Sequence, residues 1–494
     1  MAKAKRSSVR LVQAAVIFAA ALAIVFAFWR EQSGKREAPS AKQDNPAHSE
    51  ATLPGSHEDH SADGSGGTLL QQMDSAQSRE SGDLSGPVPT NEQLEKQFAI
   101  ISQSQRQVNE LKARATSAAA ARNVDLVNQI VAEGKPIVSL LNLRLAAFER
   151  DLDAARRTRP QDATVQWLTG ELLLAVGGEP EEILPYFSRA TAAGLKRAEL
   201  YGSLAKIEFD LNHFQAAYDD ALKALDGDNK GRTNWETYVR ASFALERFSE
   251  VIQRLDETFP GSGPDWVEAI RRDGRRSLES WTRETALRKA EDKAGNLPLV
   301  RFVIEHRKFV NPTDGQQLAS VKNTGRGEVV FELFEDDAPA TVANFISLAE
   351  SGFYNGTSFF WAEAGHMVVG GDPNTKNDDP ADDGSGSPGY VIPDEFDSPR
   401  ARAHFRGTIS TVQNGPRRAG SQFLISLTPS PEFDGRSTVF GRVIRGQEVI
   451  DQITEGRTNR AVGQFGKIIP GDQLVSVEII RKRPHPYRAP QLRP

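Results

Sequence analysis

Four textures of apolar and polar positions follow one another along the chain. The first is an apolar run from Leu11 to Trp29, interrupted only by Gln13 and preceded by Lys3, Lys5, Arg6 and Arg10. A helix of that length spans ~28 Å, close to the ~30 Å hydrocarbon core of a bilayer. The second runs from Arg30 to Gln97, holds no Phe, Trp or Tyr, and is rich in Ser, Gly, Asp, Glu, Gln and Pro. It buries too little apolar surface to offset its ordering entropy, so a disordered spacer is expected, with a mean reach of roughly 45 Å. The third starts near Asn91, where Ala, Leu, Glu, Arg and Gln dominate and apolar residues fall three and four apart, the helical period. This continues to about Ala294. The fourth begins after Pro298, where the period drops to two, as in Glu328–Phe334 (EVVFELF), the mark of strands.

The helical region carries a repeat. Trp167, Tyr201 and Trp235 lie 34 residues apart, as do Ala175, Phe209 and Phe243, and Pro180, Phe214 and Phe248. Ala190, Ala224 and Thr258 keep the same step. This resembles the tetratricopeptide repeat, in which each helix pair leaves an apolar face that the next pair covers. The resemblance implies a concave peptide-binding surface, with the large aromatics serving packing. The first unit departs from the pattern at Gly177, Gly178 and Pro180.

In the fourth texture, DDAPATVANFISLAESG reads as a helix, with Asp337 as its cap, Pro339 in the first turn and Gly352 as its end. Short strands are expected at Met367–Val369, Gly407–Val412, Gln422–Leu427, Thr438–Val443 and Val475–Ile480. Many short strands with Gly/Pro turns and one or two helices predict a closed antiparallel barrel.

Composition narrows the chemistry. The chain has 494 residues and a net charge of −6, which suggests several domains and no nucleic-acid partner. It has no cysteine, which excludes disulfides, thiolate metal sites and a cysteine nucleophile. The basic residues before Leu11 predict a cytoplasmic N-terminus and an extracytoplasmic soluble part, periplasmic in a bacterium. A cleaved signal peptide ending near Val25-Phe26-Ala27 is the competing reading and leads to the same side of the membrane.

The segments FELFEDDAPATVANFISLAESGFYNGTSFF, MVVGGDP and GTISTVQNGPRRAGSQFLISLTPSPEFDGRSTVFGRVIRG together resemble a cyclophilin, the peptidyl-prolyl cis-trans isomerase fold, and GYVIPDEF is similar to its bacterial branch. The resemblance covers roughly Leu297 to Arg481, with an insertion near Arg307–Arg326. It implies an eight-stranded barrel capped by two helices, a proline-binding groove and no cofactor or metal. It also implies an arginine on the strand equivalent to Phe359–Gly371, two residues after its first aromatic, reaching the prolyl amide. That amide resists rotation with a barrier of ~20 kcal/mol. A cationic donor near its nitrogen keeps the lone pair there and weakens the partial double bond.

Trp361 stands at the arginine position and is expected to fill the space with one neutral donor. By the same resemblance Val369 replaces a glutamine, His366 a pocket aromatic, and Val412 and Gln413 the alanine and asparagine that bind substrate backbone. Met367 and Gln422 match. Leu424 replaces a phenylalanine, Phe433 is an apolar wall residue, Glu432 replaces a tryptophan, and Ser437 a histidine. Arg417, Arg418 or Arg436 is the conceivable substitute cation. Other signals point away from chemistry. Gly384, Gly386 and Gly389 fit GxGxxG but follow an acidic loop with Pro388 intruding. DPNTKNDDPADDG departs from helix-loop-helix calcium spacing at Lys376, and HEDH (His57 to His60) lies in the polar spacer. No acid partner is evident for His366 or His404.

The expected organisation is therefore an anchor (1–30), a disordered linker (31–90), a tetratricopeptide-like region (91–296), a cyclophilin-like domain (297–481) and a disordered tail (482–494). The expected function is binding of proline-containing protein segments by a membrane-anchored, extracytoplasmic isomerase-family protein with weak or lost activity. The alternatives are an active isomerase, and an envelope assembly scaffold that binds through its repeats.

Overall fold

The computed structural model describes residues 87–310, 320–377, 379–413, 418–453 and 471–492. The expected anchor and the spacer up to residue 86 lie outside these residues. Among the described residues no helix is long and apolar enough to cross a membrane. They divide into two compact units, one up to Leu195 and one from Lys196 onward.

The first unit is helical. Helix α1 (Asn91–Ala120) opens on a capping box, in which the Thr90 hydroxyl accepts from Gln93 N and the Gln93 side chain accepts from Thr90 N. It packs against α2 (Val124–Thr158), with Leu94, Ile101, Val108 and Leu111 on one face and Leu141, Leu145, Phe148 and Leu152 on the other. Then come α3 (Ala163–Ala175) and α4 (Pro180–Ala192). Trp167 is buried, and its indole N–H donates to Glu171 at 3.0 Å.

The second unit begins with the helix pairs α5 (Ala198–Asp210) and α6 (Phe214–Gly227), then α7 (Arg232–Ala244) and α8 (Phe248–Thr258). The 34-residue spacing appears here as regular helix pairs, with Trp235 fully buried among Tyr238 and Phe259. Both inter-helix turns contain a non-glycine residue with positive φ, Asn212 at 60° and Glu246 at 61°. The long α9 (Asp265–Ala294) follows and ends on Gly295 in the left-handed conformation.

From Leu299 the chain is mainly β. The strands are β1 (Leu299–Val310), β2 (Ser320–Leu333), β3 (Thr357–Ser358), β4 (Trp361–Glu363), β5 (Met367–Gly370), β6 (Ile392–Pro393), β7 (Thr408–Gln413), β8 (Arg418–Ser426), β9 (Val439–Arg445) and β10 (Gln473–Arg481). Two helices accompany them, α10 (Pro339–Glu350) and the short α11 (Gln447–Asp451). The antiparallel order is β3-β10-β1-β2-β9-β7-β8-β5-β4, with β6 on β8. The two ends of this order, β3 and β4, are consecutive in the chain, so the sheet curls on itself. The expected closed barrel is found as a curled half-barrel. Its ends are joined through Phe359 and Phe360, whose N–H groups donate to Asp472 O and Val369 O.

Two expectations are corrected here. Helix α10 is not capped by Asp337, which pairs with Arg400 and Arg402 instead. Its first amides, Ala340 N and Thr341 N, donate to the Glu395 carboxylate at 3.1 and 2.9 Å. A carboxylate from elsewhere in the fold serves the orphan donors and the helix dipole as well as a local one. The chain end expected to be disordered is laid down as far as Leu492, which bridges to Val391. On the way Arg483 pairs with Asp336, and the Tyr487 hydroxyl donates to Glu335 at 2.9 Å.

The domain boundary expected at 296 does not separate compact units. One continuous core runs from Phe209, Phe214 and Trp235 in the helix pairs to Phe302, Phe331 and Phe423 in the sheet. Polar contacts reinforce it. The Arg402 side chain is 1% exposed and donates to both oxygens of Glu284, and to Glu291 and Asp337. Its guanidinium lies 3.9 Å from the Phe334 ring centroid. Arg442 reaches Asp292 and Glu332, and the Phe405 ring meets Trp281 at 4.8 Å.

Two outcomes follow for stability. Removing one member of a buried ion cluster leaves the others unpaired and costs ~3–5 kcal/mol. Arg402→Ala is expected to destabilise the chain by about that much, and denaturant unfolding that shows no loss would contradict the cluster's role. Burial pushes the Glu246 carboxyl up to about 7 from 4.5, against the pull of Arg288, Arg406 and Arg442. The native state then holds this proton more tightly than the unfolded chain. The associated stability is full below pH 4.5 and lost as pH rises through about 7. Glu246→Gln should therefore melt close to wild type at acid pH and above it in mildly alkaline buffer, a divergence that melting curves across pH would reveal.

Candidate active site

The stretch SFFWAEAGHMVVGGD forms β3, β4 and β5. Trp361 pairs with Val369 and Glu363 with Met367 across the β4–β5 hairpin, and β5 continues onto β8, where Val369 faces Leu424. This pairing puts Trp361, Met367, Val369 and Leu424 on adjacent strands. Val369 and Leu424 are buried, Met367, Val412, Gln422 and Phe433 are half-buried, Gln413 is exposed, and Ser437 is buried. Gln413 is held by donation from Nε2 to Arg436 O at 2.7 Å.

The Gly-Gly-Asp end of β5 explains the loop beside it. Asp372 is fully buried. Its Oδ1 accepts from Asn374 N at 2.8 Å, and its Oδ2 accepts from Gly384 N and from Gly386 N at 3.2 Å. A side chain at Gly386 would place its Cβ 2.0 Å from Asp372 Oδ1, so only glycine lets the loop close over the carboxylate. The loop so held turns the Gly384 and Gly386 carbonyls toward Gln422, whose Nε2 donates to both at 2.9 Å. Between them lies a cavity of about 70 Å³ lined by Gly384, Gly386, Val412, Gln413, Gly420, Ser421 and Gln422. Two glycines of the GxGxxG match, Gly384 and Gly386, thus serve a buried aspartate.

Trp361 is 49% exposed on β4 and lies opposite Val369 across the ladder, on the same face of the sheet. None of the groove positions Trp361, His366, Met367, Val369, Val412, Gln413, Gln422, Leu424, Phe433 and Ser437 is an arginine or lysine. Of the substitute cations, Arg417 lies outside the described residues, as does the side chain of Arg418. Arg436 is exposed in the turn between Phe433 and β9.

Both histidines have the acid partners that the sequence did not reveal. His366 Nε2 lies 2.5 Å from Glu432 Oε1 and Nδ1 lies 3.1 Å from Glu363 Oε2. Its ring stacks on Phe433 at 5.5 Å and 9°. His404 Nδ1 lies 2.8 Å from Asp434 Oδ1, and its ring meets the same phenylalanine at 5.7 Å. Glu363 lies three residues from His366, but Glu432 and Asp434 sit on a distant turn. Only the folded ladder brings them to the histidines. The His366 contacts tie the hairpin to the Pro431–Phe433 turn, and His404 ties the segment before β7 to the residue after that turn.

The family model for cyclophilin type peptidyl-prolyl cis-trans isomerase/CLD matches residues 319–477. A peptidyl-prolyl cis-trans isomerase of Helicobacter pylori is 39% identical over 140 residues, which is 28% of this chain and 80% of that protein. One from Synechococcus elongatus is 35% identical over 162 residues, covering 33% of this chain and 95% of that protein. A solved Cryptosporidium parvum cyclophilin type peptidyl-prolyl cis-trans isomerase matches with a TM-score of 0.26 and 24% identity, covering 36% of this chain and 98% of that one. With most of two relatives matched at this identity, the chain belongs to the cyclophilin-type peptidyl-prolyl cis-trans isomerase family.

Proposed function

We propose that the chain is a membrane-anchored, extracytoplasmic cyclophilin that binds proline-containing segments of other proteins and catalyses their isomerisation weakly or not at all. The observation that carries this is Trp361, half-exposed at the position where the family resemblance expects an arginine. Rotation about the prolyl amide is speeded by a charge that keeps the nitrogen lone pair localised, and a group of this kind is worth about 10²–10³ in rate. An indole N–H is a single neutral donor and cannot supply that charge. The apolar walls Met367, Val369, Leu424 and Phe433 and the amide of Gln422 remain for binding a proline ring and its flanking backbone. The run from Leu11 to Trp29, with basic residues before it, supports an anchor with the soluble part outside the cytoplasm. The helix pairs support a role in folding or scaffolding of envelope proteins, with the repeats as a second binding surface.

The alternative is an active isomerase that uses a displaced arginine, and exposed Arg436 beside Phe433 is what favours it. One assay separates the two. Peptidyl-prolyl isomerisation is followed for the wild-type chain, for Trp361→Arg and for Arg436→Ala. The expected outcome is a low wild-type rate, a gain of at least about tenfold in Trp361→Arg, and no change in Arg436→Ala. A wild-type rate equal to that of the Helicobacter pylori relative, abolished in Arg436→Ala, would establish the active reading. Failure of a capped Ala-Ala-Pro-Ala peptide to bind the wild-type chain would remove the binding reading.

A further inference from the structure

The groove is made of β-structure, yet one of its strands is held from the helix pairs. Asn212 occupies the turn between α5 and α6 and is almost fully buried. Its φ of 60° is a conformation that asparagine tolerates better than most residues. The side chain points into the half-barrel. Oδ1 accepts from Gly365 N at 2.9 Å, and Nδ2 donates to Asp451 O at 3.1 Å and to Ile453 O at 3.4 Å. A single amide thus serves the hairpin turn and two carbonyls at the end of α11, with both of its donor hydrogens used.

Gly365 is the turn of the β4–β5 hairpin, between Glu363 and His366. Its carbonyl accepts from the Thr428 hydroxyl at 2.9 Å, so both of its backbone polar groups are fixed. A Cβ at Gly365 would lie 2.0 Å from the Phe209 ring, one turn before Asn212, and the residue has φ of +62°. The turn is therefore glycine for its own conformation and for the close approach of the helix pair. The hairpin gripped in this way carries Trp361 on one strand and Met367 and Val369 on the other, with His366 at the turn.

We propose that Asn212 is a positioning residue of the groove: through Gly365 it sets the placement of the hairpin that carries Trp361, His366 and Met367. The helix pairs are then part of the site's construction. The inference rests on the reading of the groove given above. Asn212 touches no substrate and acts only through the hairpin turn.

The test uses the full-length chain and Asn212→Gly, which keeps the left-handed turn and removes the amide. Three quantities are read. They are amide hydrogen exchange across residues 361–370, the indole N–H resonance of Trp361 assigned with Trp361→Phe, and the affinity for a capped Ala-Ala-Pro-Ala peptide. Asn212→Gly is expected to speed exchange at Gly365 about tenfold, as loss of a buried hydrogen-bond partner should. It should also move the Trp361 resonance and weaken the peptide about tenfold, while exchange in β1 and β2 stays at the wild-type rate. An unchanged hairpin and an unchanged Trp361 resonance would overturn the proposal. So would faster exchange throughout the β-structure, since that is the signature of a general stabiliser. If the variant does not fold, wild-type exchange under mild denaturant decides. Gly365 should open together with the α5–α6 turn, and opening with β4 and β5 alone would overturn it. A wild-type chain that ignores the peptide would refute the binding role of the groove, and the exchange and indole measurements would still decide the role of Asn212.

Discussion

A guanidinium withdrawn from water fixes how this molecule is put together. Arg402 lies in the segment before β7, and two of its partners, Glu284 and Glu291, lie on α9. Burial works against its charge, but the two glutamates outweigh that and hold it further above its usual range. Such a group has no acceptable alternative arrangement, because any movement of α9 strands a charge in a low-dielectric interior. Helix α9 therefore belongs to the β-structure as much as to the repeats before it. With α9 fixed, the aromatic contacts of Phe405 with Trp281 and Phe248 follow, and the α5–α6 turn is brought to the hairpin at Gly365.

How much was legible in the sequence depended on how local the cause was. The 34-residue period and the two-residue alternation are local signals, and they gave the helix pairs and most of the strands. Strand β1 and the long arm of β2 escaped because they fall partly in the insertion near Arg307–Arg326, although Asn311-Pro312 and Asp314-Gly315 between them are turn signals. The cap of α10 was assigned to Asp337 because it precedes the helix. Asp337 is recruited by Arg400 and Arg402, and Glu395 supplies the cap across more than fifty positions. The acid partners of His366 and His404 were missed for the same reason. Sequence proximity finds Glu363, but not Glu432 or Asp434.

The site divides along a similar line. Its scaffold is self-consistent: buried Asp372 gathers the amides of Asn374, Gly384 and Gly386, and the loop so formed presents two carbonyls to Gln422. Each step needs the one before it, and each was visible as the Gly-Gly-Asp and Gly-Ser-Gln-Phe motifs. The chemistry-bearing surface is not constrained in this way. Trp361 is half-exposed, so its identity is free to change without cost to the fold.

The repeats add a constraint that neither half of the chain shows alone. In both helix pairs of the second unit the inter-helix turn carries a non-glycine residue in the left-handed conformation, Asn212 and, 34 residues later, Glu246. In a free-standing repeat such turns face water. Here the first is a buried amide bonded to Gly365, Asp451 and Ile453, and the second is a half-buried carboxyl that feels the charges of Arg288, Arg406 and Arg442. Equivalent positions of successive repeats thus meet the C-terminal part of the chain in sequence, one through an amide and one through a carboxyl. The amide reaches the groove hairpin, and the carboxyl feels arginines, one of which, Arg406, also pairs with Asp451 and stacks over Phe214. Asp451 is therefore shared: its carbonyl receives Asn212 and its carboxylate receives Arg406. A rotation of the helix pairs that disturbed one of these turns would be felt by the other through that residue, and by the hairpin through Gly365.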